Sequence, residues 1–118
     1  MSSTPAELVV TLYERLLSDL KGVAIAIRAG DIEAKAERMQ RATDVVFELL
    51  ASLDREQGGE VSQRLAALYS YMISRLGEVS RTLNPSILDE LAGHVEALLS
   101  AWRSVAEEHR TRPPVHPG

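Results

Sequence analysis

Few side chains in this 118-residue chain could carry out chemistry. Three histidines and no cysteine are present, so disulfides, thiolate nucleophiles and cysteine-ligated metals are excluded. Only His94 lies in a segment with a helical pattern, and Glu90 precedes it by four residues. Di-iron carboxylate bundles need Glu-x-x-His pairs, with a spacing of three, on two helices. We therefore expect neither a metal nor another cofactor.

A single exposed histidine on a helix is also typical of phosphotransfer bundles, so a signalling bundle centred on His94 is one alternative function. A cation to hold the phosphate is missing, because both lysines, Lys21 and Lys35, lie elsewhere in the chain. The Gly58-Gly59 pair lacks the strand and the Lys-Ser/Thr of a phosphate-binding loop, and no nucleophile elbow is present. The sequence thus favours a protein that is not an enzyme.

Composition excludes several further classes of function. The net charge of −4 argues against a general nucleic-acid binder. The longest apolar run, residues 23–27, is far too short to insert into a membrane. No signal peptide precedes Pro5, so we expect a cytosolic protein.

Capping residues predict four helices. Helix one begins at Pro5 behind Thr4 as N-cap, and Gly30 ends it. The bounds expected for the other helices are Asp31 (as N-cap) to about Leu53, about Glu60 to Thr82, and Asn84 (as N-cap) to about Glu108.

Apolar residues recur at alternating spacings of three and four along each helix, as at Val9, Tyr13, Leu16, Leu20 and Val23. Four such stripes, joined by short loops, predict an all-α, up-down antiparallel four-helix bundle. We expect one domain over residues 1–110 and a disordered tail over 111–118, which contains three prolines.

The helices carry more apolar residues than the single stripe that would face the core of the bundle. On helix one the apolar arc is about 200° wide, and Phe47 lies about 120° from the helix-two stripe. One explanation is that these residues are boundary positions half covered by neighbouring helices. The other is that they line shallow grooves that bind an amphipathic segment of a partner. The candidate partner-binding residues are Val10, Leu17, Val45, Phe47, Tyr71, Ile73 and Leu99. Core positions are expected at Leu20, Leu49, Leu76, Leu98 and Trp102.

Several motifs, taken together, resemble the flagellar secretion chaperone FliS family. The resemblance covers about residues 4–108. It rests on Thr4-Pro-Ala-Glu-Leu, Leu12-Tyr13, Gly30-Asp31, Ala42-x-Asp44-Val-Val-x-Glu48-Leu49, Leu53-Asp54, Gly58-Gly59-Glu60, Leu68-Tyr69-x-Tyr71-Met72 with Arg75-Leu76, and Ala101-Trp102.

The resemblance implies a cytosolic chaperone that binds the disordered C-terminal segment of flagellin, prevents its premature polymerisation and delivers it to the type III export apparatus. An adaptor for another secreted protein is a further alternative. The family usually carries an aromatic N-terminal extension that covers an apolar pocket, and only four residues precede Pro5 here. Either the protein lacks this extension or this chain is a shortened piece of it. Without the extension, we expect self-association when flagellin is absent.

Overall fold

The structure, a computed structural model, describes residues 5–53 and 58–111, and the side chains up to residue 108. The predicted all-α, up-down antiparallel four-helix bundle is confirmed, and the described residues contain no strand. The four helices are α1 (Pro5–Ala29), α2 (Ile32–Ala51), α3 (Gly59–Thr82) and α4 (Pro85–Thr111).

The turn between α1 and α2 has the expected capping chemistry. Gly30 adopts a left-handed φ of +71°, which a side chain would disfavour. Its N–H donates to Ile27 at 3.1 Å, and the N–H of Asp31 donates to Ala26 at 2.9 Å, which is a Schellman motif. The Asp31 carboxylate then accepts from the N–H of Ala34 at 3.0 Å and so caps α2.

The turn between α3 and α4 is equally short. Leu83 ends α3 in the left-handed region with a φ of 54°, and its N–H donates to Val79. The Asn84 side chain accepts from the N–H of Ser86 at 3.0 Å, so its predicted role as N-cap is confirmed.

Other predicted bounds differ slightly. The second helix ends at Ala51 rather than near residue 53, and the fourth continues past the predicted end near Glu108 to Thr111, the first residue of the predicted tail. The proposed cap at Thr4, residues 54–57 of the predicted loop and residues 112–118 of the predicted tail lie outside the described residues.

The core is centred on α1, which packs most extensively against α2 and α4, whereas α3 makes less contact with its neighbours. Leu20, Leu49 and Leu76 are buried as expected. Leu98 and Trp102 are only half-buried, because they pack against the edge of the core.

Two tyrosines form a hydrogen bond with each other inside this core. Tyr13 of α1 and Tyr69 of α3 are almost fully buried, and their hydroxyl oxygens lie 2.5 Å apart. Burial raises the pKa of both phenols, since it disfavours the charged form. The pair therefore stays neutral and links α1 to α3 diagonally across the bundle.

Replacing both tyrosines should cost less stability than the two single replacements added together. Tyr69→Phe leaves the Tyr13 hydroxyl without this partner, and we expect a loss of about 1–2 kcal/mol in the free energy of unfolding. The double variant Tyr13→Phe/Tyr69→Phe should cost less than the sum of the two single variants, because it leaves no buried hydroxyl unpaired at this position. Urea unfolding of the four proteins measures this, and additive losses would contradict the expected coupling.

Candidate partner-binding site

A long groove runs between α1 and α4 on the outside of the bundle. It consists of four overlapping hollows, and the widest has a volume of about 760 Å³ beside Leu17 and Leu99. We call it the α1–α4 groove. Its apolar lining residues are Val10, Leu17, Leu20, Ala24, Ile25, Leu88, Ala92, Leu99 and Ala106.

Small and polar residues explain why the two helices leave this space. Thr11 of α1, and Ser100 and Ser104 of α4, line the groove where larger side chains would fill it. The helices are joined across the groove by an ion pair between Glu14 and Arg103 at 2.9 Å. The surface therefore combines apolar patches with a charged rim, as expected for a site that takes an amphipathic segment.

A second, smaller groove lies on the other side of α1. We call it the α1–α2 groove, and Val45 lies beneath it. The carboxylate of Asp19 is buried there and pairs with Arg38 at 3.0 Å. The remaining lining residues are Arg15, Ser18, Arg41, Asp44 and Glu48.

Three of the predicted site residues line the α1–α4 groove. Val10 and Leu17 are half-buried, as boundary positions would be. Leu99 is 4% exposed and Val45 is 3% exposed, so the expectation that both lie outside the core is wrong. The physical reason is that α1 packs against α2 and α4 together, and these contacts bury a wider arc of each helix than a heptad stripe.

The other three residues lie elsewhere. Phe47 is 51% exposed, which confirms that it faces away from the core, and Tyr71 is 41% exposed. Ile73 is half-buried and packs against the core. The structure does not bring these three together with the grooves described above.

Sequence reasoning missed Ile25. It lines two hollows of the α1–α4 groove and is 65% exposed, which is more than any of the predicted residues. Its signal was present in the helical pattern, because it lies on the side of α1 opposite the core stripe.

A polar cluster joins α3 to α4 on a further face. The Tyr71 hydroxyl donates to Glu90, and the Arg75 guanidinium donates to the same carboxylate at 2.9 and 3.2 Å and to Glu78. These hydrogen bonds lower the pKa of Glu90, that from Tyr71 having the largest effect. The same bond raises the pKa of Tyr71. The cluster therefore links two helices that pack less closely than α1 and its neighbours.

His94 belongs to this cluster. Its Nε2 lies 3.5 Å from Glu90, and its ring stands edge-to-face against Tyr71 with 6.4 Å between ring centroids. Arg75 supplies a cation near this histidine, which the sequence did not reveal, but its guanidinium is already bonded to two carboxylates. A phosphoryl group on His94 would lie beside Glu90, so the arrangement does not favour phosphotransfer.

The side chains of residues 5–53 and 58–108 include no group of three or more histidine or carboxylate residues that could hold a metal ion. None of the helices, over the part that the structure describes, is both long and apolar enough to cross a membrane.

Known proteins identify the family. The chain matches the family model of the flagellar protein FliS over residues 1–109. The flagellar secretion chaperone FliS of Campylobacter jejuni is 35% identical over 102 residues, which cover 86% of this chain and 80% of the relative. The proteins of the same name from Salmonella typhimurium and Bacillus subtilis are each 31% identical, over 90% and 92% of this chain and 79% and 80% of the relatives.

The fold is a four-helix bundle with grooves along both sides of α1, and these matches give its family. The chain belongs to the FliS family. This is a family of flagellar secretion chaperones rather than of enzymes.

The polar cluster makes stability depend on pH through Glu90. Because folding lowers the pKa of this carboxyl below its ordinary value, its stabilisation is present above about pH 4.5 and is lost as the pH falls through the folded-state pKa. We expect Glu90→Gln to be less stable than the wild type at pH 6, with the difference shrinking towards pH 3. Urea unfolding at both pH values measures it.

Glu96→Gln is the matched control, since Glu96 lies on the same helix and no basic side chain of the described residues forms an ion pair with it. A pH-independent difference between Glu90→Gln and the wild type would show that the carboxylate charge is not what stabilises the cluster.

Proposed function

We propose that this protein is a cytosolic export chaperone that binds the C-terminal segment of flagellin in the α1–α4 groove. Bound there, the segment cannot polymerise with other flagellins, and the complex is delivered to the flagellar export apparatus. The observation that carries the proposal is the groove itself: apolar side chains from two helices line its length, in a protein of a chaperone family.

The proportions of the groove suit a helical guest. Its lining residues extend from Glu7 to Arg28 on α1, about 30 Å at 1.5 Å per residue. This is the length of a helix of about 20 residues. An amphipathic helix would place its apolar stripe on Leu17 and Ile25 and its polar side towards solvent.

The segment would be held because its apolar side chains, and those of the groove, are removed from water when the two come into contact. Each square ångström of apolar surface removed from water contributes roughly 25 cal/mol, whereas ordering a flexible segment costs about 2–5 kcal/mol. Binding of this kind needs neither a nucleotide nor a metal. Phe47 and Tyr71 stay candidate contacts for a guest that extends beyond the grooves, because both are exposed aromatic side chains.

Two isoleucines provide a matched test of the groove. Ile25 lies in the groove, whereas Ile32 is 76% exposed at the first position of α2 and lines none of the hollows described above. We expect Ile25→Asp to weaken binding of the flagellin C-terminal segment at least tenfold, because an apolar contact is lost and a carboxylate is desolvated. Ile32→Asp should change affinity by less than about twofold.

Titration calorimetry with the purified segment measures both affinities, and circular dichroism checks that helicity is unchanged. Full-length flagellin and flagellin without its last segment provide the complementary comparison. Equal affinity of both forms, or a wild-type protein that captures neither, would contradict the proposed guest and favour an adaptor for another secreted protein.

Exposed apolar side chains in the groove, such as Ile25, should also promote association between copies of the chain. We expect the weight-average mass of the free protein to rise with concentration and to fall to that of a one-to-one complex when the flagellin segment is added. Sedimentation over a hundredfold range of concentration measures this. A strict monomer at the highest concentration would show that the exposed apolar surface alone is too small to drive association.

A further inference from the structure

One exposed ion pair crosses the mouth of the α1–α4 groove. Arg103 of α4 donates to the carboxylate of Glu14 on α1 at 2.9 Å, and 57% of the arginine side chain and 49% of the glutamate side chain are exposed. Arg103 lines three of the four hollows that make up the groove, and Glu14 lines one of these three. The ion pair therefore lies where these hollows adjoin. We call it the Glu14–Arg103 bar.

The bar lies midway between two apolar patches of the groove. Each patch contains one residue of α1 and one of α4, and the patches are Val10 with Ala106 and Leu17 with Leu99. The α1 residues are half-buried, whereas the α4 residues are buried and form the floor of each patch. On both helices the two patch residues are seven positions apart, which is two turns or about 10 Å. Glu14 and Arg103 each lie about one turn from both patches.

The side chains beside the bar are short. Thr11 on α1, and Ser100 and Ser104 on α4, line the hollows on either side of it. Because these residues leave the groove wide, the long side chains of Glu14 and Arg103 are what spans the opening at this level. A chain that lies along the groove and contacts both patches has to pass through the position of the ion pair.

The energetics of the bar follow from its exposure. Water solvates both charges well, so an exposed ion pair contributes little to stability and is opened at little cost. The free protein nevertheless keeps the attraction between the two groups, whereas a guest that separates them removes it. The ion pair thus favours the uncovered groove over the occupied one.

We propose that the Glu14–Arg103 bar is an autoinhibitory contact, which a helical guest must open before its apolar stripe can lie on both patches. The proposal rests on the proposed function. A helix with apolar residues seven positions apart matches the spacing of the patches, and the turn between those residues would lie where the ion pair lies. Only a guest whose apolar contacts offset the loss of the ion pair binds along the whole groove.

Two substitutions of opposite charge test this inference. Glu14→Gln and Arg103→Gln change the net charge in opposite directions, but both remove the ion pair. We expect each to raise the affinity for the purified flagellin C-terminal segment about threefold, because the free protein no longer has the contact that the guest must break. The exchange Glu14→Arg/Arg103→Glu restores an ion pair and should return the affinity to near the wild-type value. Titration calorimetry measures all four proteins, and urea unfolding checks that each is folded.

Glu60→Gln and Arg64→Gln are the matched controls. These two residues form an exposed ion pair on α3 and line none of the hollows described above, so their substitution should leave the affinity unchanged. Salt provides a second control, because it screens exposed ion pairs. The advantage of Glu14→Gln and Arg103→Gln over the wild type should shrink towards onefold as the salt concentration rises from about 0.05 M to about 0.5 M.

Other outcomes would overturn the inference. If Glu14→Gln and Arg103→Gln change the affinity in opposite directions, the guest responds to the charge of each residue and not to the ion pair. If both weaken binding, the ion pair holds the groove in the shape that the guest needs. Unchanged affinity in both would show that the guest binds without opening the bar. If the segment fails to bind the wild-type chain and every variant, the proposed function itself is overturned, and the bar with it.

Discussion

The packing of α1 against α2 and α4 at the same time is the constraint on which the rest of the structure depends. Because both sides of α1 are engaged, residues such as Leu12 and Ala24, well away from the heptad stripe, are buried. The outer face of α1 is then the part of this helix that its neighbours leave uncovered. Both grooves lie along the edges of that face, so the helix that organises the core also provides the proposed binding surface.

Much of the fold could be predicted from the sequence because its signals are local. Gly30 and Asp31 mark the turn between α1 and α2, and Asn84 with Pro85 marks the start of α4. These residues act through their own backbone geometry and hydrogen bonds within a few positions. The helix ends that differed, at Ala51 and Thr111, are not followed directly by a glycine or an asparagine.

The candidate site could be predicted only in part. Leu17 and Val10 were found because a surplus of apolar residues is visible along one helix. Burial of Val45 and Leu99 depends on how closely neighbouring helices approach, and no single helix encodes that distance. Likewise Arg75 and Glu90, fifteen residues apart on different helices, form a cluster that periodicity cannot reveal.

The lengths of the connections give the bundle two unlike ends. At one end Gly30-Asp31 and Leu83-Asn84 join the helices through turns of two residues each. At the other end α1 begins and α4 finishes, and neither is tethered to the other by a tight turn. Neither of these turns joins α1 to α4, so the two helices that line the α1–α4 groove are held together by side-chain packing and by the Glu14–Arg103 ion pair. Because no turn within residues 5–53 and 58–111 bridges α1 and α4, their spacing can adjust through side chains alone, without the rearrangement of a loop.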